Sequence, residues 1–332
     1  MKPYIIAETA CAHDGSINRL KKMIDSVGFS DASAIQFRIF KRESTITKFH
    51  PEWNENKKLE ISFPNWRNIF KYVRKNFPKL EIISSIPSLY ELKFIKKINT
   101  DAFKLHSADL NNYDLLRDMA KIGKRIDLSV GASTIEEIEN SLNFIKKINP
   151  NCEIWLMYGY QLFPTKPNNL NLNLMLEYKK KFKLKVGYQD HSNNFDHNAF
   201  SIPAVAIGMG INIIEKHITD DLKRKGTDHE SAIEAKKFKK FVDSCNNFKA
   251  SLGDGKKKVF NEDENKYRLY CKKNIFVNRN LKANTRIKKK YLVLKRSNKI
   301  GILADDIDSI IGKKVAKKIL KSEQIFVNSL KY

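Results

Sequence analysis

Two histidines, His191 and His217, are the side chains whose convergence could bring one divalent metal into this chain, with Asp190, Glu215 and Asp228 close by as oxygen donors. The same two rings could equally be hydrogen-bonded side chains, since a neutral imidazole offers one donor and one acceptor. Lys104 and Arg38 are cations of the kind that hold a phosphate or a carboxylate. Ion pairs with Glu8 or Asp109 are the plainer alternative. Ser85, Ser107 and Ser129 could donate to phosphate oxygens, or could simply cap helices. These acids, bases and hydroxyls suit a polar site with a charged ligand.

Such residues need a frame, and the chain supplies one by alternation. Short β-prone runs at Tyr4–Ala7, Ala34–Phe40, Glu81–Ser85, Ala102–Leu105, Arg125–Val130, Glu153–Tyr158, Lys185–Tyr188 and Asn212–His217 predict eight strands. Apolar residues at helical spacing lie between them, as in Leu20, Ile24 and Val27, or Ile135, Ile138, Leu142 and Ile145. Ser16, Asn65, Asn112, Ser133 and Asn194 are the expected caps. No glycine-rich phosphate loop follows the first strand, which weighs against an open doubly wound sheet. Eight βα units in about 250 residues predict an α/β fold of the (β/α)8 TIM barrel type. Within the strands Gln36 and Arg38 share one face, as do Lys104 and His106, and Glu215 and His217. In a barrel that face is the lumen, and its C-terminal end is where a site forms.

The alternation stops at Gly253, so the barrel is expected over 1–252, a linker over 253–267 and a small, mostly β module over 268–332. Runs at Tyr270–Val277, Tyr291–Leu294, Ile307–Ile311 and Ile325–Val327 read as its strands. The net charge is +25, and residues 256–332 carry 22 Lys and Arg against 7 Asp and Glu. These cations are scattered without interleaved aromatics, so a solvated surface is expected and nucleic acid is not. Four separated cysteines show no metal or redox spacing and read as free thiols in a reducing cytoplasm. The first residues show no secretory pattern, and no apolar run is long enough for a membrane span.

Several segments taken together carry a resemblance. Ile5-Ile-Ala-Glu8 with His13-Asp-Gly-Ser16, Phe103-Lys-Leu-His-Ser107, Leu128-Ser-Val-Gly131, Asp190-His191 and Glu215-Lys-His217 resemble the sialic acid synthase (N-acetylneuraminate synthase) family. Leu294-Lys-Arg296 and Ile310-Ile-Gly-Lys313 look like that family's C-terminal antifreeze-like (SAF) domain. The resemblance implies condensation of phosphoenolpyruvate with the open-chain aldehyde of an N-acylated hexosamine, giving a nine-carbon 2-keto sugar acid and phosphate. It implies a divalent metal, Mn2+ or Mg2+, on His191 and His217, with Glu8 near the reacting centre. Ser85, Lys104, Ser107 and Ser129 match donor positions, and Asp228 and Arg296 match sugar-side positions, Arg296 acting across a domain-swapped homodimer.

The departures fall around the same site. Gln36 and Arg38 stand where the family usually has a lysine and then a glutamine, Gln161 where asparagine is usual, Phe163 where tyrosine is frequent, and Gln189 where serine is common. They leave two other readings open: a metal-dependent carbonyl-condensing enzyme with a different donor or acceptor, and a non-catalytic relative that binds an acidic sugar.

Overall fold

The computed structural model describes residues 2–193, 197–226, 228–256 and 258–331. Eight parallel strands close into a barrel: β1 Tyr4–Glu8, β2 Ala34–Arg38, β3 Glu81–Ser85, β4 Ala102–Leu105, β5 Arg125–Ser129, β6 Ile154–Tyr158, β7 Lys185–Asp190 and β8 Ile213–Thr219. Each pairs with the next, and β1 returns to β8 with Ile6 opposite Glu215 and Glu8 opposite His217. The eight strands fall where the sequence placed them, with ends shifted by one or two residues in β1, β2, β5, β6, β7 and β8. β7 runs on to Asp190 and β8 to Thr219, which brings both histidines to the rim.

Helices clad the barrel because their apolar residues recur on one side. Ile17–Gly28 buries Leu20, Met23, Ile24 and Val27, and Phe63–Asn76 buries Trp66, Ile69, Phe70 and Val73. Each fully buried Leu, Ile or Val contributes about 1.5–3 kcal/mol, so these stripes dominate local stability. Ser16 and Asn112 cap as expected, accepting from the amides of Arg19 and Leu115. Two caps differ. Ser62, not Asn65, accepts the first free amide of its helix, and Thr134, not Ser133, forms a capping box with Glu137. Asn194 lies outside the described residues. The last helix of the barrel is Phe238–Ser251, and before it residues 233–237 form a short ninth strand and a 3-10 turn.

The lumen is layered. Ile6, Ala34, Ile83, Ala102, Trp155, Met157 and Ile213 pack its lower half as an apolar cluster. One pleat higher the same strands present Glu8, Gln36, Ser85, Lys104 and Glu215, all buried. Strand alternation thus converts an apolar plug into a polar floor within two residues.

Residues 1–253 form one compact unit and residues 254–332 a second. The second is less β-rich than expected. Tyr270 and Cys271 end a helix that begins at Glu262, inside the expected linker, and residues 307–310 form a helical turn instead of a strand. Its sheets are two short antiparallel pairs, Asn274–Val277 with Leu292–Lys295 and Lys314–Val315 with Leu330–Lys331. Ile275, Val277, Ile310, Val315 and Ile325 close a separate core. No described helix is long and apolar enough to cross a membrane.

Candidate active site

At the C-terminal ends of the strands a cavity of about 410 Å³ opens above the polar floor. Its wall includes Glu8, Gln36, Arg38, Ser85, Lys104, His106, Gln161, Gln189, His191, Glu215, His217 and Asp228. All twelve were singled out from the sequence and meet in one place. Ser107 opens a 3-10 turn after β4 and does not line the cavity. Ser129 is fully buried beneath it, and Arg296 is an exposed residue of the second unit.

A hydrogen-bonded chain crosses the floor. Ser129 Oγ donates to Gln189 Oε1 at 2.6 Å, Gln189 Nε2 donates to Glu215 Oε1 at 2.9 Å, and Lys104 Nζ donates to Glu215 Oε2 at 2.6 Å. The chain links β5, β7, β8 and β4 and leaves Gln189 one orientation, since its carbonyl must face the hydroxyl and its amide the carboxylate. Lys104 takes Glu215 as partner, in place of the Glu8 or Asp109 pairing the sequence had left open.

The two floor carboxyls are pushed apart. Burial, then the nearby charge of Glu215, raise Glu8 well above the usual carboxylate range, although the Ala10 amide donates to its Oε1 at 2.6 Å. Burial also works against Glu215, but the Lys104 ammonium and the Gln189 amide outweigh it and hold that carboxyl low. Two neighbouring carboxyls shifted in opposite directions are an arrangement suited to proton transfer.

Burial pushes both rim histidines below the ordinary imidazole value, His217 further because His191 stands beside it. Their rings lie 5.1 Å apart. His191 Nδ1 is 2.8 Å from the Tyr160 carbonyl, which can only accept, so the proton sits on Nδ1 and Nε2 keeps its lone pair. His217 Nδ1 is buried with no hydrogen-bond partner. Two neutral imidazoles with uncommitted lone pairs fit a divalent cation, although no group of three or more His, Cys, Asp or Glu among the described residues is placed to hold one. Asp190 is not available: strand alternation turns it behind the sheet, where it pairs with Lys216 at 2.9 Å. The Phe163 ring packs over both, 4.3 Å from His191 and 5.6 Å from His217.

Arg38 stands at the top of β2 with its guanidinium 3.8 Å from Cys11 Sγ and 5.2 Å from the Phe40 ring. Asp228 faces the same cavity from a left-handed backbone position, φ +67°. Burial raises its carboxyl, and Arg38 opposes that. The sequence reading missed one wall. The helix Trp53–Leu59 contributes Glu55, Asn56 and Leu59, and Glu52 precedes it. Its only signal was the spacing of Asn56 and Leu59, its two buried residues.

Residues 23–257 match the NeuB family. The chain belongs to that family. An N,N'-diacetyllegionaminic acid synthase of Campylobacter jejuni is 26% identical over 98% of this chain and 98% of its own length. An N-acetylneuraminate-9-phosphate synthase of Mus musculus is 26% identical over 98% of this chain and 92% of that protein. Among solved structures, an N-acetylneuraminic acid (sialic acid) synthetase of Leptospira borgpetersenii in complex with citrate is 28% identical, with a TM-score of 0.71 over 81% of this chain and 92% of that one. This NeuB-family chain is thus related to sugar-acid synthases along nearly its whole length, while its relatives differ in product. Gln36, Arg38 and Gln189 sit on the polar floor or beside it and line the cavity.

Proposed function

We propose that this chain is a sugar-acid synthase that joins phosphoenolpyruvate to the open-chain aldehyde of an N-acylated hexosamine. The reaction forms a bond from the donor's methylene carbon to the aldehyde carbon. Water adds to the donor's enol carbon, and the carbon–oxygen bond to phosphate breaks to leave a nine-carbon 2-keto acid. The observation that carries this reading is the convergence of a buried Lys104–Glu215 pair, the buried Glu8 carboxyl beside it and the His191–His217 pair in one cavity.

Arg38, with Lys104 and the Ser85 hydroxyl, would bind the donor's phosphate and carboxylate, the guanidinium offering two parallel donors. Ser129 would act from below by fixing Gln189, and Ser107 would reach the donor only if its turn shifts toward the cavity. Glu8 in its neutral form would orient the water or a sugar hydroxyl and could give a proton to the aldehyde oxygen as the new bond forms. Gln161 and Asp228 would hold the sugar. His191 and His217 would hold a divalent cation, Mn2+ or Mg2+, whose chemistry is to polarise the aldehyde oxygen. A homodimer in which Arg296 of the second unit serves the partner's sugar site belongs to the same proposal.

A second reading, a different donor, draws on the Gln36–Arg38 pair, which places the strand's positive charge one pleat higher than a lysine at position 36 would. The test is phosphate release from phosphoenolpyruvate across a panel of N-acylated hexosamines with Mn2+ present. Release that needs one particular sugar and stops with a chelator supports the proposal. Folded, Mn2+-loaded protein that releases none moves the reading to the other donor.

A further inference from the structure

Behind the two rim histidines, on the opposite face of the sheet, lies an ion pair that takes no part in the chemistry above. Asp190 and Lys216 are both fully closed off from solvent, with Nζ and Oδ2 at 2.9 Å. They are register partners on β7 and β8, and each immediately precedes a histidine in sequence. A buried ion pair is poor evidence of stabilisation, because the cost of removing two charges from water consumes most of their attraction. An apolar pair of similar size would hold the strands together at least as well. What it could not supply is direction.

The contacts are directional. Asp190 Oδ1 accepts from the Ser192 amide at 2.9 Å and from the Tyr188 hydroxyl at 3.1 Å, and Lys216 Nζ also donates to the Ser192 carbonyl at 3.4 Å. The pair therefore grips Ser192, the residue just past His191, at both its backbone N–H and its C=O. The His191 carbonyl is held further by the Thr165 amide at 2.8 Å and the Ser231 hydroxyl at 3.1 Å. The two rings differ in support. His191 has the Tyr160 carbonyl on its Nδ1, whereas His217 Nδ1 has no partner, so that ring is placed by its main chain, next to Lys216, and by packing against Phe163.

We propose that Lys216, through Asp190, is a positioning residue that fixes the spacing of His191 and His217 and thereby the affinity of the pair for a divalent cation. This rests on the metal reading above. Partners that orient a metal ligand typically change affinity by about 10- to 100-fold when removed. The test is Mn2+ binding to the full chain, followed by electron paramagnetic resonance, with thermal unfolding of the metal-free protein in parallel. Lys216→Met alone leaves Asp190 buried and unpaired and is expected to lower Tm. The informative variant is Lys216→Met with Asp190→Leu, which removes both charges. Its Tm is expected to stay near wild type while its Kd for Mn2+ rises by about 10-fold or more. Wild-type affinity in that double variant overturns the proposal and leaves the metal reading standing. If the wild-type chain itself binds no Mn2+, or binds it equally well as His217→Ala, the metal reading falls and this one falls with it.

Discussion

Lys104 on β4 and Glu215 on β8 meet across the barrel lumen at 2.6 Å, with side chains only 1% and 2% exposed. This contact spans half the circumference of the barrel and is tied through Gln189 to Ser129. It braces the floor, and in the proposed reaction its ammonium would also meet the donor.

Those two roles can be separated. Lys104→Met strands an ionised carboxyl in the interior and is expected to cost about 3–5 kcal/mol of stability. Adding Glu215→Gln removes the orphaned charge and should return stability close to wild type without restoring phosphate release. Urea denaturation beside an activity assay reads both. Recovery of activity in the double variant would remove Lys104 from the donor site.

Arg38 should carry the donor's negative charge in a way lysine cannot match, because a guanidinium offers a planar fork. Charge-assisted hydrogen bonds of this kind are worth roughly 1.5–3 kcal/mol each, so Arg38→Lys is expected to raise KM for phosphoenolpyruvate by about tenfold or more. KM for the sugar should change far less. Equal effects on both would place Arg38 between the substrates.

His13 gives the fold a pH dependence of its own. It is fully buried, its Nδ1 accepts from the Gly15 amide at 3.0 Å, and burial lowers it to about 4 from 6.5. The folded value lies below the unfolded one, so its contribution is complete above pH 6.5 and is lost as the pH falls toward 4. The full loss is about 3 kcal/mol. His13→Asn keeps an acceptor without the titration. Its stability curve between pH 6.5 and 4 should be flatter than wild type, as measured by denaturation at each pH.

Gly15 couples the first loop to the wall helix. Its φ is +71°, and a Cβ there would lie 2.2 Å from the Lys58 carbonyl oxygen, which is backbone and cannot swing aside. Gly15→Ala is expected to destabilise by about 2 kcal/mol or more and to displace the helix bearing Glu55 and Asn56. Circular dichroism melts and the KM for the sugar check the two parts.

Much of this was legible in the chain because a parallel barrel writes two clear signals. Strands such as Glu81–Ser85 and Ala102–Leu105 fell where β-prone runs ended in turn residues, and alternation placed Lys104 and Glu215 on the lumen face before any contact was known. Asp190 eluded the same logic because a residue at a strand end can belong to the rim or to the outer face, and only the extension of β7 decides which. The wall helix Trp53–Leu59 was invisible for a different reason. It is short, lies at a rim and buries only Asn56 and Leu59, so it has almost no apolar period to read. In the second unit, Ile307–Ile310 has β-branched residues yet forms a helical turn, since burying Ile310 against Ile275 and Val315 outweighs so small a local preference.

The most direct test of the central claim follows carbon as well as phosphate. The chain is incubated with Mn2+, an N-acylated hexosamine and phosphoenolpyruvate carrying 13C at its enol carbon, and the products are read by nuclear magnetic resonance and mass spectrometry. One phosphate is expected for each nine-carbon acid formed, with the label at its keto carbon, and none of either with His217→Ala. Phosphate released with the label left in a three-carbon product would contradict it.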